Sequence, residues 1–579
     1  MYKLLRYLKP ATFFLSIIAI MAIGQASANL YLPNLMADIV NKGVAAFDTN
    51  YIWRTGGLMA LVAIGGTIAA VIGTYFASRV ATQMCKTLRA EIFIKVQQYS
   101  LHEFDVVSTA SLITRTTNDT AQIQQLMVMV LNILITAPIT LVVGIIMALR
   151  QSVELSWILV ATMPVLIAVI IFLLIKAVPL FTLMQEKFDV LNRIVDENLT
   201  GVRVIRAFNR IKHEEERFDE TNQTITTIAI KVNQLVAMMM PVMMLMINVS
   251  SVAIIWFGSK QVAAGHIQIG EMFAFLQYAT QILFSLLMVA MLFIMVPRAE
   301  ASAKRINEVL ELDPEIRDAK KTKRTTRQRG EVEFKNVSFS YHGAEKPALS
   351  DISFTAHPGE TTAIVGGTGS AKSTLVNMIP RFYDATSGQV LVDGIDVREL
   401  SQEDLRNKIG FIPQKAVLFA GTVKENIGLG KEKATLKEIK HAADVAQASD
   451  FISKMEGGYE ALISQGGTNV SGGQMQRLSI ARALVRDAEI YVFDDTFSAL
   501  DFKTDAKLRA SLKNETKNST VIIVAQRIST VIDADTIIVL DDGRIVGSGT
   551  HTELMKSCAV YTAIVTSQLS AAEIIEEAV

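Results

Sequence analysis

Long apolar stretches alternate with polar ones along the first half of the chain. A helix that crosses the hydrocarbon core of a bilayer needs about 20 mostly apolar residues. Six stretches of the sequence meet this requirement, so the pattern predicts six membrane-spanning helices. Their predicted bounds are Ala11–Leu30, Gly56–Ser78, Ile123–Leu149, Leu155–Ile175, Leu235–Gly258 and Phe273–Val296.

The connections between these stretches differ in length and charge. The two long ones, 79–122 and 176–234, are polar with helical periodicity, and we expect helical extensions of the spans there. Apart from Lys176 at a membrane edge, the long connections carry 13 Lys and Arg residues and the short ones carry four. Since positive residues favour the cytoplasmic side, the long connections and both termini are predicted to be cytoplasmic.

The segment before the first span, MYKLLRYLKP, is basic and amphipathic. It predicts either a helix on the cytoplasmic membrane surface or a plain positive flank. No small-residue cleavage site follows convincingly, so no cleavable signal is expected.

Six methionines surround Pro241 in the fifth stretch. Flexible Met side chains suit a surface that accommodates varied apolar ligands. The alternative is lipid-facing filler, because consecutive residues of a helix cannot all face one side. The six are Met238, Met239, Met240, Met243, Met244 and Met246.

The pattern changes after residue 310. Residues 311–330 are charged and read as a linker, and EVEFKNVSFSY then alternates as a strand does. From Thr361 the chain reads TTAIVGGTGSAKSTLVNMI, which predicts a buried strand, a glycine-rich turn and a helix. That is the context of a phosphate-binding loop, whose backbone N–H groups and helix start face phosphate oxygens. The predicted loop comprises Gly366, Gly367, Thr368, Gly369, Ser370, Ala371, Lys372, Ser373 and Thr374.

Three residues of this half carry the phosphate and metal chemistry. Lys372 is expected to reach the β- and γ-phosphates of a nucleotide, and the Ser373 hydroxyl to bind Mg²⁺. The apolar strand in EIYVFDD ends in acid, and Asp494 is expected in the Mg²⁺ shell. Ala371 stands where the motif expects Gly, so its Cβ crowds the loop if the backbone needs a positive φ; we expect binding to survive.

Composition separates the two halves. Residues 1–310 carry 43 charged residues and residues 311–579 carry 69, so only the second half resembles a soluble domain. With two cysteines, a disulfide framework is excluded and a cysteine-based zinc site is not expected. The net charge of zero does not suggest a nucleic-acid partner.

Between the two phosphate motifs lies NVSGGQMQRLSIARAL, and its SGGQ stretch resembles the signature of ABC transporters. Essentially the whole chain resembles an exporter-type ABC half-transporter. This resemblance implies an all-α six-helix transmembrane domain with long cytoplasmic extensions (1–310), the linker (311–330) and an α/β P-loop ATPase domain of ABC type (331–579). It also implies ATP and Mg²⁺ as ligands and a bacterial inner membrane as the location.

The resemblance assigns further roles by motif. It implies that Tyr341 stacks on adenine, that Gln414 is the glutamine that senses Mg²⁺, and that Asp501 belongs to the loop after the acidic strand. Segments near Leu101–Ser108 and Gly201–Arg210 match the coupling helices. The signature residues cap the γ-phosphate of ATP bound to the partner chain, and here they are Ser471, Gly472, Gly473 and Gln474.

Two residues depart from the family pattern in one half-site. Asp495 stands where a catalytic Glu is usual, and a displacement of about 1 Å can cost ~10²-fold in rate. Gln526 replaces a switch His and cannot carry a proton or positive charge to the phosphate. Together they suggest a site that binds ATP and hydrolyses it poorly. A site altered to trap ATP is a second explanation, although Asp is a less usual choice for that purpose.

The leading hypothesis is therefore one half of a heterodimer that exports amphipathic small molecules across the lipid bilayer. An intact signature would complete a competent site on the second half-transporter. The alternatives are an ATP-sensing regulator or gated channel, a homodimer, or an importer of the same architecture. Gln465, where the family usually has Glu, is a further but minor departure.

Overall fold

The computed structural model describes residues 2–319, 322–323 and 330–568. The chain divides into two compact units. The helical unit comprises Met1–Gln97 and Ser108–Leu312, and the α/β unit comprises Gln98–Val107 and Asp313–Val579. Residues 320, 321 and 324–329 of the predicted linker lie outside the described residues, as do residues 569–579 of the predicted ATPase domain.

The helical unit consists of long helices joined by short turns. A 3₁₀-helical segment, Tyr2–Ala11, precedes the first α-helix, and π-helical segments occupy Ile39–Val44 and Arg115–Asp119. In chain order, the α-helices up to residue 311 are α1 (Thr12–Asp38), α2 (Thr49–Gln97), α3 (Leu101–Val107), α4 (Thr109–Thr114), α5 (Thr120–Gln151), α6 (Val153–Ala207), α7 (Ile211–Ala237), α8 (Met239–Ala263) and α9 (Ile269–Glu311).

The six predicted spans are confirmed. Within the described residues, six helical segments are long and apolar enough to cross a bilayer, and each contains one predicted stretch. The long connections are helical, as predicted: α2 continues to Gln97, and α6 continues to Ala207 before α7 begins. Apolar packing between the helices is accompanied by polar contacts, and one of them is the Tyr278 hydroxyl, which donates to the Leu30 carbonyl at 2.9 Å.

The helix that contains the methionine cluster is interrupted. Helix α7 ends at Ala237 and α8 begins at Met239. Pro241 has no backbone N–H, so the Ala237 carbonyl four residues earlier loses its helical donor. The methionines point in different directions, since Met243 is fully buried and Met244 is half exposed.

The two predicted coupling segments differ in structure. Helix α3 forms the first one and belongs to the α/β unit. The buried Glu103 carboxylate accepts hydrogen bonds from the backbone of Ser100 (2.6 Å) and of Glu315 (3.0 Å). Burial opposes ionisation of Glu103, but these bonds lower its pKa overall. The second segment is the end of α6 and the turn into α7, not a separate helix.

The α/β unit is built on two main sheets. Its strands are β1 (Val332–Phe339), β2 (Leu349–Ala356), β3 (Thr361–Gly366), β4 (Ser387–Val392), β5 (Ile395–Asp396), β6 (Ile409–Ile412), β7 (Gly421–Thr422), β8 (Leu462–Ile463), β9 (Ile490–Asp494), β10 (Thr520–Val524), β11 (Thr536–Asp541) and β12 (Arg544–Gly549). The larger sheet has the order β12-β11-β3-β10-β9-β6, and the smaller one β2-β1-β4-β5.

Five neighbouring strands of the larger sheet are parallel, and only β12 is antiparallel. Both faces of the sheet are buried, which explains why its strands are apolar throughout. Along β10, for example, Ile523 packs into a core cluster on one face and Ile522 into a cluster on the other. The antiparallel sheet supplies Phe334 to the second cluster.

Shorter helices complete this unit. They are α10 (Lys372–Asn377), α11 (Gln402–Asn407), α12 (Val423–Gly428), α13 (Leu436–Val445), α14 (Ser449–Ile452), α15 (Gly472–Leu484), α16 (Phe502–Glu515), α17 (His551–Ser557) and α18 (Ala559–Gln568).

Candidate functional site

The carboxyl ends of four parallel strands meet at one edge of the larger sheet. The glycine-rich loop follows β3, and Asp494 ends β9. Gln414 lies two residues beyond β6, and Gln526 lies two residues beyond β10. This edge is where open α/β sheets place their ligands. The topology thus collects residues that are more than 150 positions apart in the sequence.

The predicted phosphate loop has the expected local structure. Residues 367–371 form the turn between β3 and α10, and the Ala371 carbonyl accepts the first helical bond, from Leu375 N–H at 3.0 Å. Ser370 Oγ donates to the Gly367 carbonyl at 2.9 Å. The backbone N–H groups at the helix start remain available to an anion, as such a loop requires.

Ala371 adopts a left-handed conformation, with φ of 67° and ψ of 26°. The loop therefore does require a positive φ at the position where the motif expects Gly. A residue with a Cβ pays roughly 1–2 kcal/mol for this conformation. The methyl group packs against the core cluster beneath the loop, so the site tolerates its volume and only the backbone is strained.

The Lys372 side chain folds back onto the phosphate loop and bonds to groups of the loop itself. Its ammonium donates to the carbonyls of Gly366 (2.9 Å) and Gly367 (2.7 Å), and lies 3.3 Å from Ser370 Oγ. The side chain is buried, and burial lowers its pKa although the charges of Asp495 and Asp494 oppose this. The ammonium is thus held inside the phosphate loop.

Ser373 and Asp494 offer oxygen ligands side by side. Ser373 Oγ donates to Asp494 Oδ1 at 2.8 Å. Asp494 is 5% exposed, and burial raises its pKa above the ordinary value for an aspartate. A desolvated carboxylate next to a hydroxyl fits Mg²⁺, which binds through one or two protein oxygens together with phosphate oxygens. Among the described residues, no cluster of His, Cys, Asp and Glu suggests any other metal site.

Asp495 is held by two amides. Its Oδ2 accepts a hydrogen bond from Gln526 Nε2 at 2.7 Å and another from Gln414 Nε2 at 3.2 Å. The residue is 7% exposed and has a left-handed backbone, with φ of 46°. The structure therefore brings together the two residues that depart from the family pattern, and joins them directly.

Tyr341 lies on the other side of the phosphate helix. Its hydroxyl is 2.8 Å from Thr374 Oγ1, and its exposed ring is available for stacking. Tyr383 packs edge-on against it, with 5.6 Å between ring centroids. Burial raises the pKa of Tyr383, and the charge of Asp105 on α3 adds to the shift. Nothing in the sequence distinguished Tyr383, since its role depends on the ring contact.

The signature residues lie apart from these groups, at the start of α15. Ser471 N–H donates to Gln474 Oε1 at 2.9 Å, and Gln474 N–H donates to Ser471 Oγ at 3.3 Å. This reciprocal pair is a capping box. Ser471 and Gly472 are exposed, and the described residues show no hydrogen bond from the four signature residues to the phosphate loop.

Asp501 also lies outside the cluster at the sheet edge. Its carboxylate accepts from Thr504 N–H at 2.9 Å, as the N-cap of α16, and this bond lowers its pKa. Its expected role in this loop thus coexists with a structural role as a cap. Gln465 is exposed on a 3₁₀ turn before the signature.

The helical unit contains two cavities beside the α7–α8 interruption. The first, of about 700 Å³, is lined by Leu180, Lys231, Gln234, Met238 and the Ala237–Pro241 break. The second, of about 780 Å³, lies between α5, α6, α7, α8 and α9. Its lining mixes apolar residues such as Met239 and Phe181 with polar and charged ones, and the Arg298 guanidinium lies 5.1 Å from the Phe181 ring.

A six-helix apolar unit and a P-loop domain with an SGGQ helix in one chain define a membrane-embedded ATPase. The family comparison agrees with this class. Residues 15–287 match the family model of the ABC transporter transmembrane region, and residues 349–498 match the family model described as ABC transporter. The chain belongs to the ABC transporter family, and the predicted fold class is confirmed.

Relatives extend over nearly the full length. An uncharacterized ABC transporter ATP-binding protein of Mycobacterium tuberculosis is 42% identical over 567 residues, which cover 97% of both chains. An ATP-dependent lipid A-core flippase of Hahella chejuensis is 31% identical over 579 residues, covering 99% of this chain and 97% of the relative.

The fold has a close counterpart among solved structures. The ATP-bound structure of a bacterial Atm1-family ABC exporter superposes with a TM-score of 0.82. The match covers 97% of this chain and 99% of the other, at 23% sequence identity. The architecture is therefore that of an ABC exporter, with an integral membrane domain fused to an ATPase domain.

Proposed function

We propose that the chain is one half of a dimeric ABC exporter that uses ATP to move amphipathic small molecules out of the cytoplasm. In this proposal its own nucleotide site binds ATP and hydrolyses it slowly. A second half-transporter supplies the faster site, and the pair resides in the bacterial inner membrane with both ATPase domains in the cytoplasm.

ATP binding rests on the arrangement at the sheet edge. The Lys372 ammonium exchanges its contacts with loop carbonyls for phosphate oxygens, and the loop N–H groups bind the same phosphates. Ser373 and Asp494 hold Mg²⁺ together with Gln414. A bound magnesium ion supplies positive charge against the phosphates. The exposed Tyr341 ring provides the stacking surface for adenine.

The observation that carries the slow-hydrolysis proposal is the shared oxygen of Asp495. Both Gln526 and Gln414 donate to Oδ2, so this oxygen is already engaged before a water molecule arrives. A base must reach the proton that it removes, and a carboxylate one methylene shorter than Glu stands further back. Gln526 holds the carboxylate but has no proton to exchange with the phosphate.

The heterodimer is proposed because the signature is intact, whereas the nucleotide site of the same chain departs from the family pattern. Ser471 and Gly472 are exposed and Gly473 is partly buried at a helix start, where backbone N–H groups and the helix dipole favour an anion. They are available to ATP held by another chain. A slow site in this chain and an intact signature together suit a partner that has its own catalytic Glu.

The cavities support an amphipathic substrate. Each has a volume in the range of small-molecule sites, about 300–1,000 Å³. The walls of the first are mainly apolar, whereas the second combines apolar residues with polar and charged ones. Two of the six methionines, Met238 and Met239, line them. Lys231 and Gln234 supply polar groups to the lining of the first cavity. The flippase relatives act on a lipid by name, and an amphipathic lipid falls within this proposed class.

The first test is the ATPase activity of the chain in lipid, alone and with its co-expressed partner. Negligible activity alone and robust activity in the pair would support the heterodimer. Robust activity alone would mean a working homodimer and would overturn the slow-site proposal. Transport against a gradient in sealed inside-out vesicles then separates an exporter from a regulator or channel, and uptake in the opposite orientation would identify an importer.

A further inference from the structure

The last described helix ends on the loop that carries Gln526. Gln568, the final residue of α18, donates from Nε2 to the Gln526 carbonyl at 2.8 Å. Its Oε1 accepts from the Ile528 N–H at 2.9 Å. One side-chain amide thus pairs with two backbone groups that flank Arg527, in the way that a neighbouring strand would.

The helix that presents Gln568 is firmly placed. Tyr561 and Val565 of α18 are almost fully buried, and they belong to the same core cluster as Ile528. The Tyr561 hydroxyl also contacts His551 Nδ1 at 2.8 Å. Gln568 is therefore held by its helix against the loop, although its side chain is solvent-exposed.

Further contacts of this loop are made by the Arg527 side chain. The Arg527 guanidinium lies 5.2 Å from the Phe502 ring and donates to the Ser498 carbonyl at 3.3 Å. These two contacts hold the Arg527 side chain, whereas Gln568 bonds to the backbone of residues 526 and 528 on either side of it. From there the Gln526 side chain donates to Asp495 at 2.7 Å.

We propose that Gln568 is a positioning residue for the switch loop: the C-terminal helix sets the orientation of Gln526 toward the γ-phosphate of ATP. This inference rests on the proposed function, since it assumes that ATP binds at this site. Gln568 acts only through Gln526, so its influence should be confined to nucleotides that carry a γ-phosphate.

The test measures how fast fluorescent nucleotides dissociate from the full chain in lipid nanodiscs with Mg²⁺. The probes are a mant-labelled non-hydrolysable ATP analogue and mant-ADP. Gln568→Ala removes both hydrogen bonds that hold the backbone on either side of Arg527, so about 5–10-fold faster dissociation of the ATP analogue is expected, which corresponds to about 1–1.4 kcal/mol. Dissociation of mant-ADP should stay unchanged.

Two further variants separate positioning from folding. Gln568→Glu keeps the size and the acceptor but removes the donor to Gln526, so it should show the same selective acceleration. In a Gln526→Ala background, Gln568→Ala should add nothing, because both act through one residue. Ser567→Ala is the matched control, since the Ser567 hydroxyl bonds, within the described part of the chain, only to the Ile564 carbonyl of its own helix.

The outcomes distinguish the inference from the proposed function. Equal dissociation of the ATP analogue from Gln568→Ala and the unchanged chain would overturn the inference alone. Equal acceleration of both probes, or additive effects with Gln526→Ala, would also overturn it and indicate a general structural role. Absence of nucleotide binding by the unchanged chain would overturn the proposed function, and the inference with it.

Discussion

The two ends of the nucleotide site are built differently. At the phosphate-binding end, Lys372, Ser373 and Asp494 are the residues that the motif requires, and their contacts hold them in place. At the end where water would be activated, Asp495 and Gln526 both depart from the family pattern and are bonded to each other. Under the proposed function, the difference teaches that holding ATP and cleaving it depend on separate groups, which can be altered independently.

The largest effect is expected from a variant that disrupts the phosphate-binding end of the site. Lys372→Ala deletes an ammonium whose charged hydrogen bonds to phosphate are worth about 1.5–3 kcal/mol each, so ATP affinity should fall by about 100-fold or more. Equilibrium binding of a fluorescent ATP analogue measures this. Lys437→Ala, on the exposed side of α13, is the control and should bind normally. Unchanged affinity in Lys372→Ala would mean that ATP does not bind at this loop.

The second test restores the usual family residues at the end of the site where water would be activated. The double change Asp495→Glu and Gln526→His should raise hydrolysis at this site by about 100-fold, because a positioned base contributes 10²–10⁴-fold. Asp495→Glu alone should stay slow, since Gln526 still lacks a proton to exchange. Single-turnover conversion of radiolabelled ATP is the measurement. A large rise from Asp495→Glu alone would show that Gln526 does not limit the reaction.

The third test concerns the signature, which belongs to the opposite site. Ser471→Ala should lower the ATPase activity of the dimer by about 10-fold, since one cap alone is worth ~1 kcal/mol and the phosphate contact is lost as well. ATP binding at the Lys372 loop should not change. Thr435→Ala removes a similar capping box from α13 and controls for stability. An equal loss of activity in both variants would contradict the proposed role of Ser471.

The smallest expected effect is at Ala371. Ala371→Gly relieves the left-handed strain but makes the unfolded chain more flexible, so the net gain should be below about 1 kcal/mol. The melting temperature should rise by roughly 2–4 °C for each kcal/mol gained. Ala506→Gly, in the exposed middle of α16, should instead lower it. A lower melting temperature for Ala371→Gly would show that the methyl packing outweighs the strain.

Much of the fold was predictable because it depends on local pattern. Apolar stretches of sufficient length give the six spans, and a glycine-rich turn between an apolar strand and a helix gives the phosphate loop. The motif left open whether the backbone needs a positive φ at Ala371, and the structure shows that it does, with φ of 67°. In contrast, the predicted second coupling segment is simply the end of α6, since the helical periodicity continues through it.

The side-chain pairings were not predictable. The bonds of Gln526 to Asp495, of Lys372 to its own loop and of Gln568 to the switch loop depend on side-chain positions within the assembled sheet edge. No periodicity or spacing specifies them, and Gln568 lies 42 residues beyond its partner. Sequence reasoning found the chemical groups of the site, whereas their mutual engagement required the fold.

The capping box of the signature has a consequence for how its glycines should be interpreted. Ser471 and Gln474 start the helix of this chain through their reciprocal hydrogen bonds. Gly472 makes no such contribution: a Cβ there would have no neighbour within 4 Å. Under the proposed function, this open space at Gly472 is where ATP held by another chain would approach the backbone.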